Sequence, residues 1–250
     1  MVLRNDIIDW CNQQLAIAQF KDYAPNGLQV EGAAQVNKIV CAVTASRAAI
    51  EFAAAEGADM LLVHHGLFWK SEPVGIVGWK RQRIAALLAH NINLVGYHLP
   101  LDVHPQWGNN AQLAARLGWQ VEAQTGEQNL LMLGRLPEAV TLTRLQADIG
   151  TTLGAAPLLI SDKPNRMAHK IAWCSGGAQG FFQAAIDLGV DAFITGEVSE
   201  AHYHLAHETG VAFLAAGHHA SERYGVQALA AAVEAQFGLP FVFFDEANPV

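Results

Sequence analysis

The feature that most restricts the fold of this chain is a pattern that occurs twice. Residues 38–65, KIVCAVTASRAAIEFAAAEGADMLLVHH, lie over residues 170–197, KIAWCSGGAQGFFQAAIDLGVDAFITGE, without a gap. Lys38 falls on Lys170, Ile39 on Ile171, Gly57 on Gly189 and Asp59 on Asp191. Identities are few, but each copy reads as strand, turn, helix, glycine and second strand. In the first copy a β-branched run (38–43) leads into a helix at 46–56, which Ser46 can cap and Gly57 can close. Residues 60–63 are the next strand, 80–89 a helix and 93–97 a third strand. A shorter linker in the second copy brings NLVGYHLPLD (93–102) over FLAAGHHASE (213–222), so that His98 meets His218 and Asp102 meets Glu222. Two unrelated βαβ units would share part of this outline; a duplicated lobe accounts for more of it.

Alternating strands and helices predict an α/β protein with mixed sheets covered by helices. The expected lobes are residues 1–128 and 169–250. Between them, residues 129–168 read as a strand (LLMLGRL), a helix (TLTRLQADIGTTL, with Thr141 or Thr143 near its start) and a strand (PLLISD). This stretch is expected to be a small inserted βαβ subdomain without a chemical motif.

The chemistry gathers at strand ends, where open α/β sheets bind ligands. The run MLLV ends in His64 and His65, NLVGY leads into His98 and Asp102, and FLAAG leads into His218, His219 and Glu222. Adjacent imidazoles at a strand tip carry a desolvation cost unless something binds them. Neutral imidazole with carboxylate is a ligand set for Zn, Mn, Fe or Ni. Successive side chains of a strand point to opposite sides, so His64 and His65 are expected to serve two neighbouring ions rather than one. Asp102 and Glu222 can each bridge two cations, and two ions ~3.5–4 Å apart activate water for hydrolysis.

Other polar stretches are more ambiguous. Glu197, aligned with His65, is either a general base, a group that orients a ligand histidine, or a helix cap. The turn CSGGAQGFF (174–182) either offers N–H groups to a phosphate or simply packs closely. His202, His204 and His207 read as a solvated helix face.

Composition excludes several classes. A formal net charge of −8 and the lack of a Lys/Arg cluster argue against nucleic acid as a partner. No apolar segment is long enough to span a bilayer, and the start resembles an amphipathic helix rather than a signal peptide. Three scattered cysteines suggest neither disulfides nor a thiolate metal site, so a cytoplasmic setting is expected.

The motifs DYAPNGLQVEG (22–32), VTAS (43–46), LLVHHGLFWK (61–70), HLPLDVHPQWGNNAQLA (98–114), ITGEVSE (194–200) and AAGHHASER (215–223) closely resemble the YbgI-type, Nif-three-like proteins. Members of that family often carry the label GTP cyclohydrolase I type 2 homologue. The resemblance covers nearly the whole chain and is weakest around 129–168. It implies duplicated three-layer α/β lobes and a toroidal homohexamer with dinuclear metal sites facing an internal cavity. Carried over motif by motif, it implies His64, His65, Asp102, His218 and Glu222 as ligands of two divalent ions, with Glu222 bridging. His98 and Glu197 are then the candidates for moving protons, and the substrate is a small molecule, with a nucleotide among the candidates. A non-catalytic metal-binding or interaction scaffold is the rival expectation.

Overall fold

The computed structural model describes all 250 residues, which form two compact units. The first comprises Met1–Gly108 and Arg223–Ala247, the second Asn109–Glu222 and Asn248–Val250.

The first unit is built on a five-stranded sheet in the order Phe241–Phe244, Ile39–Thr44, Met60–His65, Asn93–Gly96, Gly27–Val30. The first four strands are parallel and Gly27–Val30 is antiparallel to its neighbour. The central strands are apolar throughout because helices cover both faces. On one face Ile39, Cys41, Met60, Leu62 and Val95 pack with Ile7, Ile8 and Cys11 of the helix Arg4–Gln14 and with Val226, Leu229 and Val233 of the helix His218–Phe237. On the other, Val40, Ala42, Leu61, Val63 and Leu94 meet Ala49, Ile50 and Ala53 of the helix Arg47–Ala55 and Ile84 and Leu87 of the helix Gly78–Ala89. This alternation produces three layers. Complete burial of a side chain such as Ile50 contributes roughly 2 kcal/mol. The Ser46 hydroxyl accepts the Ala49 N–H, so the expected cap is in place.

The second unit holds a six-stranded mixed sheet in the order Gln120–Thr125, Leu131–Thr141, Met167–Trp173, Ala192–Thr195, Ala212–Ala215, Leu158–Ile160. Phe182 of the helix Phe182–Asp187 packs on this sheet against Phe193 and Phe213, with ring centroids 5.8 and 4.9 Å away.

The duplication is visible bond by bond. Ile39 pairs with Met60 in the first unit and Ile171 with Ala192 in the second, the same register in both. The Asp59 carboxylate accepts the N–H groups of Asn37 and Lys38; that of Asp191 accepts those of His169 and Lys170. The Lys38 ammonium donates to the Glu56 carbonyl, and the Lys170 ammonium to that of Leu188. Gly57 and Gly189 close their helices at φ of 63° and 64°.

Two expectations about organisation change. The units do not divide at residues 128 and 169. Leu131–Thr141 lies between Gln120–Thr125 and Met167–Trp173, and Leu158–Ile160 pairs with Ala212–Ala215 at the far edge. Residues 129–168 therefore contribute two strands to the sheet of the second unit instead of standing apart, because isolated strands would leave their backbone groups unpaired. Their helix forms as expected, with the Thr141 hydroxyl accepting the Arg144 N–H. The repeat also slips in the third strand. Asn93 sits opposite Met60, whereas Ala212, not Phe213, sits opposite Ala192. The extra residue is taken up around Gly217, at φ 92°, which restores His218 as the counterpart of His98.

Candidate metal centre

In the first unit the strand Met60–His65 carries both histidines within it, and His64 is only 1% exposed. Its Nδ1 donates to the Tyr97 carbonyl at 2.8 Å, which leaves the Nε2 lone pair turned away from the backbone. That Nε2 lies 3.5 Å from Oδ1 of Asp102, itself 5% exposed, in the short helix Leu99–Val103. His65 Nδ1 meets the Thr44 hydroxyl at 3.1 Å on the neighbouring strand.

His98 is held more firmly. Its Nδ1 donates to Asp22 Oδ1 at 2.7 Å, and its N–H is accepted by Asn26 Oδ1 at 2.8 Å. Asp22 also accepts the N–H groups of Ala24 and Leu99 and an amide hydrogen of Asn26. Burial alone would raise the Asp22 carboxyl, but the hydrogen bond and charge of His98, with help from Asn26 and Ala24, hold it at about 2. A ring nitrogen anchored to a carboxylate or carbonyl leaves the opposite nitrogen oriented and more basic, the usual support of a metal-ligating histidine.

The three imidazoles converge. Ring centroids of His64 lie 4.6 Å from His65 and 5.2 Å from His98, and one nitrogen of each lies within 4.8 Å of the other two. Rings this close are compatible with the expected service of two neighbouring ions. Alternation separates Cβ atoms, while the rings beyond them reach back together. His98 thus stands among the potential ligands, a role the sequence reading did not give it. Asp22 entered that reading only as part of the DYAPN motif. A carboxylate two residues ahead of Ala24-Pro25, with Asn26 four residues on, is the turn signal that could have flagged it.

In the second unit His218 opens the helix His218–Phe237, with Glu222 one turn later on the same face. His218 Nε2 is 3.1 Å from Glu222 Oε2, and its Nδ1 is 2.7 Å from Glu197 Oε1. Burial would lower the His218 pKa, but hydrogen bonds and charge from Glu222 and Glu197 raise it to about 9. Glu197 therefore orients His218 and does not cap the following helix, where Ser199 and His202 form the cap. Glu222 is 3% exposed and sits against Gly176. A Cβ at position 176 would fall 1.9 Å from Glu222 Oε1, and φ there is +67°. The Gly176 N–H is spent on the Ser221 hydroxyl, so this glycine serves close packing around the carboxylate instead of offering its N–H to a phosphate. The His219 backbone N–H donates to the Val250 carbonyl.

Of His202, His204 and His207, expected to form a solvated helix face, only His204 is exposed; the other two are half-buried. His204 pairs with Glu200, His207 with Asp162, and His202 stacks on Phe213. The donor set described above (oriented imidazoles, buried carboxylates and a glycine cradle) fits divalent metal.

The sequence profile of the Duf34/NIF3 (NGG1p interacting factor 3) family matches residues 2–249. A Neisseria meningitidis protein named "GTP cyclohydrolase 1 type 2 homolog" is 62% identical over 249 residues, 100% of each chain. An Escherichia coli K12 protein of the same name is 49% identical, covering 95% of this chain and 96% of its own. Among solved structures, "protein ybgI, unknown function" superposes with a TM-score of 0.96 at 47% identity, covering 100% of both chains. A second, from Thermus thermophilus, gives 0.90 at 36% identity, again over 100% of both.

Proposed function

From the premise that this chain belongs to the Duf34/NIF3 family, we propose that it is a metal-dependent hydrolase of a small, nucleotide-type molecule. The specific version is ring opening of a purine nucleotide, the chemistry named in its relatives' label. The ligands proposed for two divalent ions per chain are His64, His65, Asp102, His218 and Glu222, with His98 a further donor beside His64 and His65. The observation that carries this reading is the anchoring of His64 by the Tyr97 carbonyl and of His98 by Asp22, which commits their second nitrogens to a shared cluster. When bound, such ions supply Lewis-acid activation of water. The chain's own residues do the rest. Asp22 and Glu197 fix the rings of His98 and His218 so that the nitrogen opposite each anchor is held in one orientation.

The toroidal homohexamer and the cytoplasmic setting belong to the same proposal. The buried cysteines Cys11, Cys41 and Cys174 form no disulfide, which supports a reducing compartment, and burial pushes the Cys11 and Cys41 thiols up to about 12. No helix is long and apolar enough to cross a membrane.

The test is hydrolysis over a panel of nucleotides and phosphoesters by metal-loaded protein. Turnover that drops at least 100-fold in Glu222→Ala supports the proposal, and no turnover by metal-loaded wild type across the panel contradicts it. The rival reading, a non-catalytic scaffold, draws on exposed Val74, Ile76, Val77 and Trp79. It predicts that substituting them abolishes self-association or partner binding while no substrate is consumed.

A further inference from the structure

The first unit contains a cleft of about 910 Å³, at the upper end of the size range of small-molecule sites. Tyr23, Phe68 and Trp69 supply much of its wall, and Lys21, Lys70, Lys80, Glu72 and Asp22 its charge. Two of these rings also belong to the surroundings of the histidine cluster. The Trp69 ring lies 5.1 Å from His98 and 5.8 Å from His65, and the Tyr23 ring 5.9 Å from His98. A molecule lying along Trp69 and Tyr23 therefore extends toward the imidazoles.

The charges decide what kind of molecule it is. Asp22 is consumed by His98, Asn26 and two backbone N–H groups. Glu72 is paired at 2.9 Å with Lys80, which is 5% exposed. Lys70 is different: its ammonium donates to the Asp22 carbonyl and faces no carboxylate. It is solvent-exposed, so it can turn to a ligand at little cost. In a chain of net charge −8, the uncompensated charge at this cleft is positive. Flat aromatic walls favour planar rings, and stacking of a base on such a wall contributes about 1–3 kcal/mol. An ammonium beside them favours phosphate or carboxylate.

We propose that this cleft is the recognition pocket of the metal centre, taking a planar heteroaromatic anion with its ring against Trp69 and Tyr23 and its phosphate on Lys70. The inference rests on the hydrolase reading for its role but not for its binding chemistry.

Isothermal titration of full-length protein, metal-loaded and chelator-stripped, with guanosine monophosphate, guanosine and inorganic phosphate tests it. The monophosphate is expected to bind both forms, at least tenfold more tightly than guanosine or phosphate. Lys70→Ala should reduce its affinity to that of guanosine and leave metal content unchanged. Trp69→Leu should weaken the monophosphate and guanosine alike. Absence of monophosphate binding in either form, or equal affinity in wild type and Lys70→Ala, overturns the pocket even if metal is bound. Monophosphate binding lost in Lys70→Ala by a protein that retains no metal upholds the pocket and sinks the hydrolase reading instead.

Discussion

Gly176 shows how closely single positions are tied to the candidate centre. Alanine there must hold φ at +67° and place its Cβ 1.9 Å from Glu222 Oε1. Gly57 has a similar φ, +63°, but open space around it. Gly57→Ala should therefore cost about 1 kcal/mol by denaturant unfolding and leave metal binding intact, while Gly176→Ala should cost roughly 2 kcal/mol or more and lose metal. His218 makes a second case. Its pKa is raised to about 9, so in metal-free protein its protonated ring stabilises the fold fully below the ordinary value of 6.5. That contribution fades as pH rises through about 9. Unfolding of stripped wild type and His218→Gln between pH 6 and 10 should show their stability gap closing at the alkaline end. Metal must displace the same proton, so calorimetry at pH 7–8 in buffers of different ionisation enthalpy should record proton release on metal binding. Candidate ligands could be read from sequence because each falls at a strand end or one helical turn beyond. The anchoring residues were less legible. Asp22 meets His98 across 76 positions and Thr44 meets His65 across 21, separations over which spacing carries no signal.

The repeated strand–helix–strand unit was legible because both copies need the same turn chemistry. A glycine at positive φ closes each helix, and an aspartate two residues later pins the start of the neighbouring strand. Asp59→Ala and Asp191→Ala should therefore destabilise their own units to a similar extent, each by about 2 kcal/mol. Hydrogen exchange that loosens Asn37 and Lys38 in one variant and His169 and Lys170 in the other would check it; an effect in only one copy would count against equivalence. The fate of 129–168 was not legible. Leu131–Thr141 and Leu158–Ile160 have strand composition, but which partner each strand takes is decided by pairing across the sheet of the second unit, which local pattern does not encode. The one-residue slip at the third strand was hidden for the same reason, since Gly217 absorbs it without altering the motif that follows.

The chain as a whole is a duplicated α/β protein whose two copies have diverged in chemistry. One carries His64, His65, His98 and Asp102, the other His218, Glu197 and Glu222. Where His65 stands in the first copy, the second has Glu197, a carboxylate that orients an imidazole. The reading stands or falls on metal. Elemental analysis of protein purified without chelator should find close to two divalent ions per chain in wild type. His204→Ala, on the solvated helix face, should keep both, and His64→Ala, Asp102→Ala and Glu222→Ala should each lose at least one. Wild-type protein that retains no metal, or retains it unchanged in all three ligand variants, would contradict the assignment.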